Sequence, residues 1–372
     1  MTSTDGGENR LRILHVMVSL TPQASEYHEH SLPVMDERDL TLCTYFSPEI
    51  VPPAPIRLYG GDNTLRGFFR ALRQALGAGE YDAVHAHSPH TAFFLIVAMV
   101  LRFHPGLRRR SVCTVHDSFY DFKLRNKLFL IPAFGVFRRV IFCSHAAYQS
   151  LPGILKRLVG SRRRIVQNGV DVERVDKVIA AIEPRHDATF DVVSIGRLEP
   201  VKDPLALLEA FHRSAGADDT LVFIGDGSLR PQLESAIAEV GLADRVTLTG
   251  QIEREDVFRQ VMASDVYIST SHGEGLPVAP MEAMACSVPV ILSDIPPHRE
   301  FQADPGLIPL VRPGDVAGFA RELNRLRSLP GEERAAIGSA CRELVESGFS
   351  LQRMIEGYGV IYREIQSSES RP

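Results

Sequence analysis

No stretch of this chain is long and apolar enough to span a bilayer. The longest apolar run, residues 92–101, is ten residues and ends at Arg102, where a spanning helix needs roughly twenty. Cysteine is scarce and unpatterned. The five (Cys43, Cys113, Cys143, Cys286, Cys341) are odd in number and never fall in CxxC spacing. That excludes a disulfide framework and a paired-cysteine metal site, and it fits small buried residues in a reduced compartment. The opening residues, MTSTDGGENR, are polar and acidic, so no secretory signal is expected and the cytoplasm is the expected location. No low-complexity segment interrupts the chain.

What is present is the material of a soluble two-domain protein. A length of 372 residues exceeds one ordinary core and fits two, and 44% apolar with 23% charged residues is globular composition. The net charge of −5 hides an asymmetry. Residues 1–185 carry 24 Lys+Arg against 17 Asp+Glu, and the remainder carries 17 against 29. A basic first half either attracts an anionic surface or acceptor, or merely solvates helix faces; both readings stand.

Strands and helices alternate throughout. Residues 11–18 read as a buried first strand, 39–46 as a second, and 64–76 (TLRGFFRALRQAL) as an amphipathic helix with arginines on its outer face. Strands at 82–87, 111–115 and 139–143 end in His85-Ala86-His87, His116-Asp117 and Ser144-His145. Another leaves through Asn168-Gly169. Residues 178–190 lose the pattern and read as a hinge. A second series follows, with strands at 191–195, 221–224, 246–248, 266–268 and 288–292, and 349–365 is an amphipathic final helix. Such alternation predicts an α/β fold of two doubly wound parallel-sheet domains facing a central cleft, in which polar groups at the carboxyl ends of strands line the crevice.

The most informative stretch is His272 to Cys286, HGEGLPVAPMEAMAC. Gly273 and Gly275 give a bendable backbone before a helix expected to open at Leu276-Pro277, and the unpaired N–H groups of that end suit a phosphate. Glu274 and Glu282 bracket it. Beside a phosphate these acids need hydroxyl partners, which points to a nucleotide-sugar site.

Together with VHAH, TVHD, NGVD, GRLEPVKD, IGDGSLR and LTGQI, which precede it in this order along nearly the whole chain, this stretch resembles the retaining nucleotide-sugar glycosyltransferases of family four, which have the GT-B fold. EGLPVAPMEAMA resembles that family's pair of acids eight residues apart, and GRLEPVKD its pyrophosphate clamp. The resemblance implies an acceptor-side domain over 1–185, joined by a C-terminal helix over 350–368, and a donor domain over 186–349. It implies a hexosyl transfer from a UDP- or GDP-linked sugar to a hydroxyl acceptor, by same-face attack with the leaving phosphate taking the proton.

Residue by residue, Arg197 and Lys202 would neutralise the departing diphosphate, Glu274 would hold the donor sugar's hydroxyls or else stabilise its loop, and His116 would position the anomeric carbon. Glu282 would take the ribose hydroxyls or else cap the helix dipole. Gly196, Gly225, Asp226, Gly250, Gly275, Leu276 and Pro277 would complete donor binding, with Asp117 and Asn168 on the acceptor side. No metal is expected: no DxD run stands at the site, the family carries histidines such as His85, His87 and His90 without one, and nothing near His28, Glu29 and His30 completes a ligand set. The sugar nucleotide is a substrate, and no cofactor is implied. One departure is that the loop after the first strand, Val18-Ser19-Leu20-Thr21-Pro22-Gln23, lacks the glycines with which family members meet the donor phosphate.

The acceptor is left open between a lipid-linked, an oligosaccharide and a small natural-product hydroxyl. The triplets Arg108-Arg109-Arg110 and Arg162-Arg163-Arg164, with the apolar segment 124–136, suit a peripheral enzyme on an anionic membrane. Two rival functions remain, a non-transferring nucleotide-sugar epimerase or hydrolase and a non-catalytic sugar-binding protein.

Overall fold

A computed structural model describes residues 10–22, 24–102, 105–180, 189–302 and 306–369. The chain forms two compact units, Met1–Gln167 with Met354–Pro372, and Asn168–Arg353.

The first unit is built on seven parallel strands, β1 (Arg12–Met17), β2 (Asp39–Thr44), β3 (Arg57–Tyr59), β4 (Ala83–Ala86), β5 (Ser111–Val115), β6 (Arg139–Phe142) and β7 (Arg163–Ile165), in the order β3-β2-β1-β4-β5-β6-β7. Ile13, Leu14 and Val16 of β1 are wholly buried, as expected where helices cover both faces of a parallel sheet and a strand has no solvent side. The helix Leu65–Gly77 follows its predicted amphipathic pattern. Thr64 caps it by accepting a 3.0 Å bond from Gly67 N, and Phe68, Ala71, Leu72 and Ala75 are buried.

The second unit has six parallel strands, β8 (Asp191–Ile195), β9 (Thr220–Ile224), β10 (Val246–Gly250), β11 (Val266–Ser269), β12 (Val290–Ser293) and β13 (Leu310–Val311), ordered β10-β9-β8-β11-β12-β13. Phe211, Phe223, Phe319, Leu207 and Leu323 pack into its core cluster. Each sheet therefore reverses its winding once, the first between β1 and β4 and the second between β8 and β11. In open α/β sheets ligands bind beyond the carboxyl ends of strands at such a switch point.

The division falls after Gln167 rather than after residue 185. Packing explains the difference: helix Val172–Ile179 buries Val175 and Val178 and lies against helices Arg254–Met262 and Val278–Ala285 of the second unit, with Arg174 paired to Glu255. Most of the expected hinge, residues 181–188, lies outside the described residues. From Met354 onward the last helix, Leu351–Glu369, belongs to the first unit. There Tyr358 and Tyr362 are buried, Arg38 donates to the Ile355 carbonyl at 3.2 Å, and Glu364 accepts from Arg139 and Arg164.

Candidate active site

The switch point of the second sheet carries a small pocket. The ends of β8 and β11 line it with Gly196, Arg197, Ser269, Thr270 and Ser271, and Lys202 reaches in from the following turn. The turn is tightly specified. Gly225 has φ +133°, and a Cβ there would stand 2.2 Å from the Gly196 carbonyl oxygen; one on Gly227 would stand 2.4 Å from that of Leu198. Only glycine lets the β9 loop lie against the β8 loop so closely. Glu199 then ties the two together by accepting from Ser228 N and Ser228 Oγ at 3.1 and 2.8 Å. Gly250 closes the far side, accepting from Gly225 N at 2.9 Å. Asp226 is exposed, with its carboxylate 3.7 Å from Arg230.

Arg197 is exposed at this opening. Lys202 is held instead by Glu274, whose Oε1 it shares with Ser271 Oγ at 2.7 Å. The sequence singled out these two cations and this acid separately; the structure joins Lys202 directly to Glu274. Thr270 Oγ1 donates to the carbonyls of Lys202 and Asp203, both at 3.0 Å, which sets the lysine's backbone against the end of β11. Asp203 adopts φ +50° and caps helix Pro204–Ser214, while its other oxygen lies 2.8 Å from His272 Nε2.

The helix that carries Glu282 begins at Val278, just past the expected opening at Leu276-Pro277. Pro277 has ψ 135°, so it precedes the helix in extended conformation instead of occupying its first turn. No side chain caps this end, and its backbone N–H groups are of the kind that meet anions. Glu282 is buried and receives Arg254 Nη2 on Oε1 at 2.6 Å, an orienting partner the sequence did not single out. Asn168, expected on the acceptor side, belongs to the second unit and donates its amide to the Leu276 carbonyl at 2.8 Å. It steadies the loop at Gly275 and Leu276. His298 was also missed. It is wholly buried behind Ser293, with Nδ1 2.8 Å from that residue's carbonyl, and burial brings its pKa down to about 4 although the Glu274 charge opposes the fall.

At the switch point of the first sheet the structure assembles a histidine cluster. His15 on β1 pairs in register with His85 on β4. His15 Nδ1 lies 2.7 Å from His87 Nε2, and His85 bridges Tyr362 and Thr114 through its two nitrogens, each at 2.7 Å. His30 stands edge-on to His87 with ring centroids 4.9 Å apart. His116 stacks on His87 at 5.7 Å and is half-buried at the cluster's rim, with Asp117 exposed beside it. Burial, reinforced by neighbouring imidazoles and Arg38, pushes the pKa values of His30, His85 and His87 well down and that of His15 to about 3. These rings are neutral at pH 7.

His90 is not in the cluster; it faces Phe129 at 5.3 Å. His28 lies 2.6 Å from the Pro22 carbonyl. His15, His85 and His87 each bring a nitrogen within 4.8 Å of the others, a spacing that could hold a metal ion. An ion there would displace one of the two bonds made by His85.

Two family models match consecutive halves of the chain, Glycosyltransferase Family 4 over residues 16–174 and Glycosyl transferases group 1 over residues 176–344. The chain belongs to this family of GT-B glycosyltransferases. It is 26% identical over 90% of its length, and 87% of the relative's, to a UDP-Gal:alpha-D-GlcNAc-diphosphoundecaprenol alpha-1,3-galactosyltransferase of Escherichia coli. A 2-deoxystreptamine glucosyltransferase of Streptomyces kanamyceticus is 28% identical over 53% of this chain and 54% of its own. Among solved structures, Anabaena HepE in complex with UDP and glucose superposes with a TM-score of 0.76, covering 95% of this chain and 100% of that one at 19% identity. Among the described residues, no helix is long and apolar enough to cross a membrane.

Proposed function

We propose that this glycosyltransferase moves a hexosyl unit from a UDP- or GDP-linked sugar to a hydroxyl acceptor with retention at the anomeric carbon. The observation that carries the reading is the second sheet's switch point. There an exposed Arg197 and a Glu274-held Lys202 flank a pocket beside an uncapped helix end. As the C1–O bond lengthens, charge grows on the leaving diphosphate, and fixed cations stabilise that state more than the bound donor. With two cations facing the diphosphate, the reaction has no need of an obligatory divalent metal.

Glu282, oriented by Arg254, takes the ribose hydroxyls, while Glu274 holds the donor sugar. The acceptor oxygen attacks C1 from the face the diphosphate leaves and passes its proton to the departing phosphate oxygen. One C–O bond forms, one breaks, and the proton ends on the nucleoside diphosphate. The E. coli relative and HepE, by what their names say they use or bind, favour a uridine diphosphate.

A panel of nucleoside diphosphates in a thermal-shift assay identifies the base. Replacing Arg197 and Lys202 together by Ala is expected to weaken diphosphate binding ~100-fold, at about 1.5 kcal/mol for each charge-assisted contact. Undiminished binding and transfer would refute the reading. A product of inverted anomeric configuration by NMR would refute retention.

A further inference from the structure

Six of the first unit's exposed large apolar side chains lie within a span of 39 residues: Tyr120, Leu124, Leu128, Ile131, Ile154 and Leu158, with Leu124 73% and Ile154 75% exposed. They are not scattered. Leu124, Leu128 and Ile131 repeat at i, i+4 and i+7 on helix Leu124–Val136, whose other side buries Leu130, Ala133 and Phe134. The helix is thus apolar towards the core and apolar again towards solvent, which a surface helix of a free-standing protein is not. On the neighbouring helix Gly153–Val159, Leu155 and Val159 are buried while Ile154 and Leu158 face out. Leu158 Cδ1 lies 3.8 Å from where a Cβ on Gly135 would stand, one turn beyond Ile131, so the two stripes meet.

The charge around this face is predominantly positive. Residues 122–170 contain ten Lys+Arg and no Asp or Glu. Lys123, Arg125 and Arg157 are exposed between the leucines, and Lys127 and Lys156 lie half-buried along them. The structure also narrows the arginine triplets. Arg162 turns onto the carbonyls of Gly135 and Val159, and Arg164 is paired with Glu364, so neither leads the face. Asp121, exposed between Tyr120 and Leu124, is the one acid within those 39 residues, and it stands before the helix, as does Asp117.

We propose that this face docks the protein on an anionic bilayer, with the leucine stripe in the headgroup layer and the lysines and arginines on the phosphates. Charge decides the occupant. A second copy docking by the same face would set like charge against like charge, whereas an anionic lipid surface answers both the stripe and its basic rim. The 13-residue helix, ~20 Å long, lies on such a surface and is too short to cross it. Resting on the transferase reading, the substrate class that follows is an acceptor carried by a membrane lipid. The docking itself is tested without any transfer.

The chain has no tryptophan, so Leu128→Trp introduces a reporter without background. With vesicles rich in phosphatidylglycerol its emission is expected to shift to the blue, and the wild-type protein should co-sediment. Both effects should weaken in high salt by roughly fivefold for each engaged cation, and both should be lost on vesicles of phosphatidylcholine alone. The double change Leu124→Ser and Ile154→Ser should reduce co-sedimentation about tenfold or more, leaving the thermal shift by the preferred nucleoside diphosphate unchanged. Wild-type protein that stays in the supernatant with anionic vesicles at low salt overturns the proposal. So does an emission shift that needs only higher protein concentration, which would mark self-association, or binding equal on neutral and anionic vesicles. Intact nucleotide binding in those cases leaves the transferase reading standing, whereas vesicle binding without nucleotide binding would do the reverse.

Discussion

Mild acid should unfold the first unit well before it unfolds the second. Four of its wholly buried histidines, His15, His30, His85 and His87, have pKa values depressed by burial, His15 to about 3; in the second unit His298 is the described histidine so placed, at about 4. Unfolded histidine titrates near pH 6.5. Between that value and the folded one the unfolded chain binds more protons, so stability is full above about pH 6.5 and declines as pH falls towards the folded pKa.

From about pH 7.5 to about pH 5.5 each such histidine costs roughly 1.4 kcal/mol, the work of one pH unit below the unfolded pKa. Four amount to about 5.5 kcal/mol for the first unit against about 1.4 for the second. Carboxylates hardly contribute, because their unfolded values near 4 lie below the window. Since a whole domain is stable by only about 5–15 kcal/mol, the first unit should come close to melting. Calorimetry across this range should show two transitions drawing apart, with the unit assigned by hydrogen exchange at residues of β1 and β8. His87→Asn should flatten the first unit's pH slope by one proton. A first-unit loss below about 1.4 kcal/mol, or parallel losses in both units, would refute the account of neutral, buried imidazoles.

Gly225→Ala should prevent the second unit from folding or lower its stability by about 3 kcal/mol or more, since the new methyl meets the Gly196 carbonyl at a backbone angle closed to alanine; chemical denaturation of the variant measures it. Asn168→Ala leaves the Leu276 carbonyl without its donor, which should cost about 1–2 kcal/mol and raise the KM for donor more than it lowers kcat. Glu282→Gln should abolish the preference for a ribonucleoside over a 2′-deoxyribonucleoside diphosphate, read by calorimetric titration of both. Equal discrimination by variant and parent would remove Glu282 from the ribose.

How far the sequence could be read depended on the range of each interaction. Buried parallel strands such as β8 and β9 announce themselves locally as short apolar runs, and the loops that follow them carry the glycines and cations of the donor pocket. Strands β3 and β13 were not legible, because three half-buried residues, Arg-Leu-Tyr, and the pair Leu-Val are too short to show a period. Side-chain partners were not legible at any separation. Arg254 meets Glu282, Ser271 meets Glu274, and Asn168 meets Leu276 across 28, 3 and 108 residues. The distant two are set by which loops the sheet order brings together. His15 stayed hidden among core residues for the same reason, since its meaning comes from lying beside His85 in the sheet.

The loop after β1 shows how a missing motif is compensated structurally. Without glycines, its carbonyls at Val18 and Leu20 accept from Phe46 N and Glu49 N at 2.9 Å each, and Leu20 is wholly buried. The segment is pinned to the one that follows β2 and has no freedom to wrap a phosphate. The neighbouring strand ends instead gather neutral imidazoles, whereas the second unit's switch point gathers Arg197 and Lys202. On the proposed reaction that division is chemically sensible. Net positive charge belongs where the diphosphate leaves, and neutral donors and acceptors belong where sugar hydroxyls are held, because a cation beside C1 would oppose the positive charge that develops there as the bond to the leaving group breaks. It follows that Leu20→Gly, which frees the loop, should leave diphosphate affinity within about twofold of the parent. His87→Lys, which forces a charge into the cluster, should lower kcat by about a hundredfold or more in the surviving folded fraction. A charged cluster with unchanged turnover would show that the neutrality of these histidines has no part in catalysis.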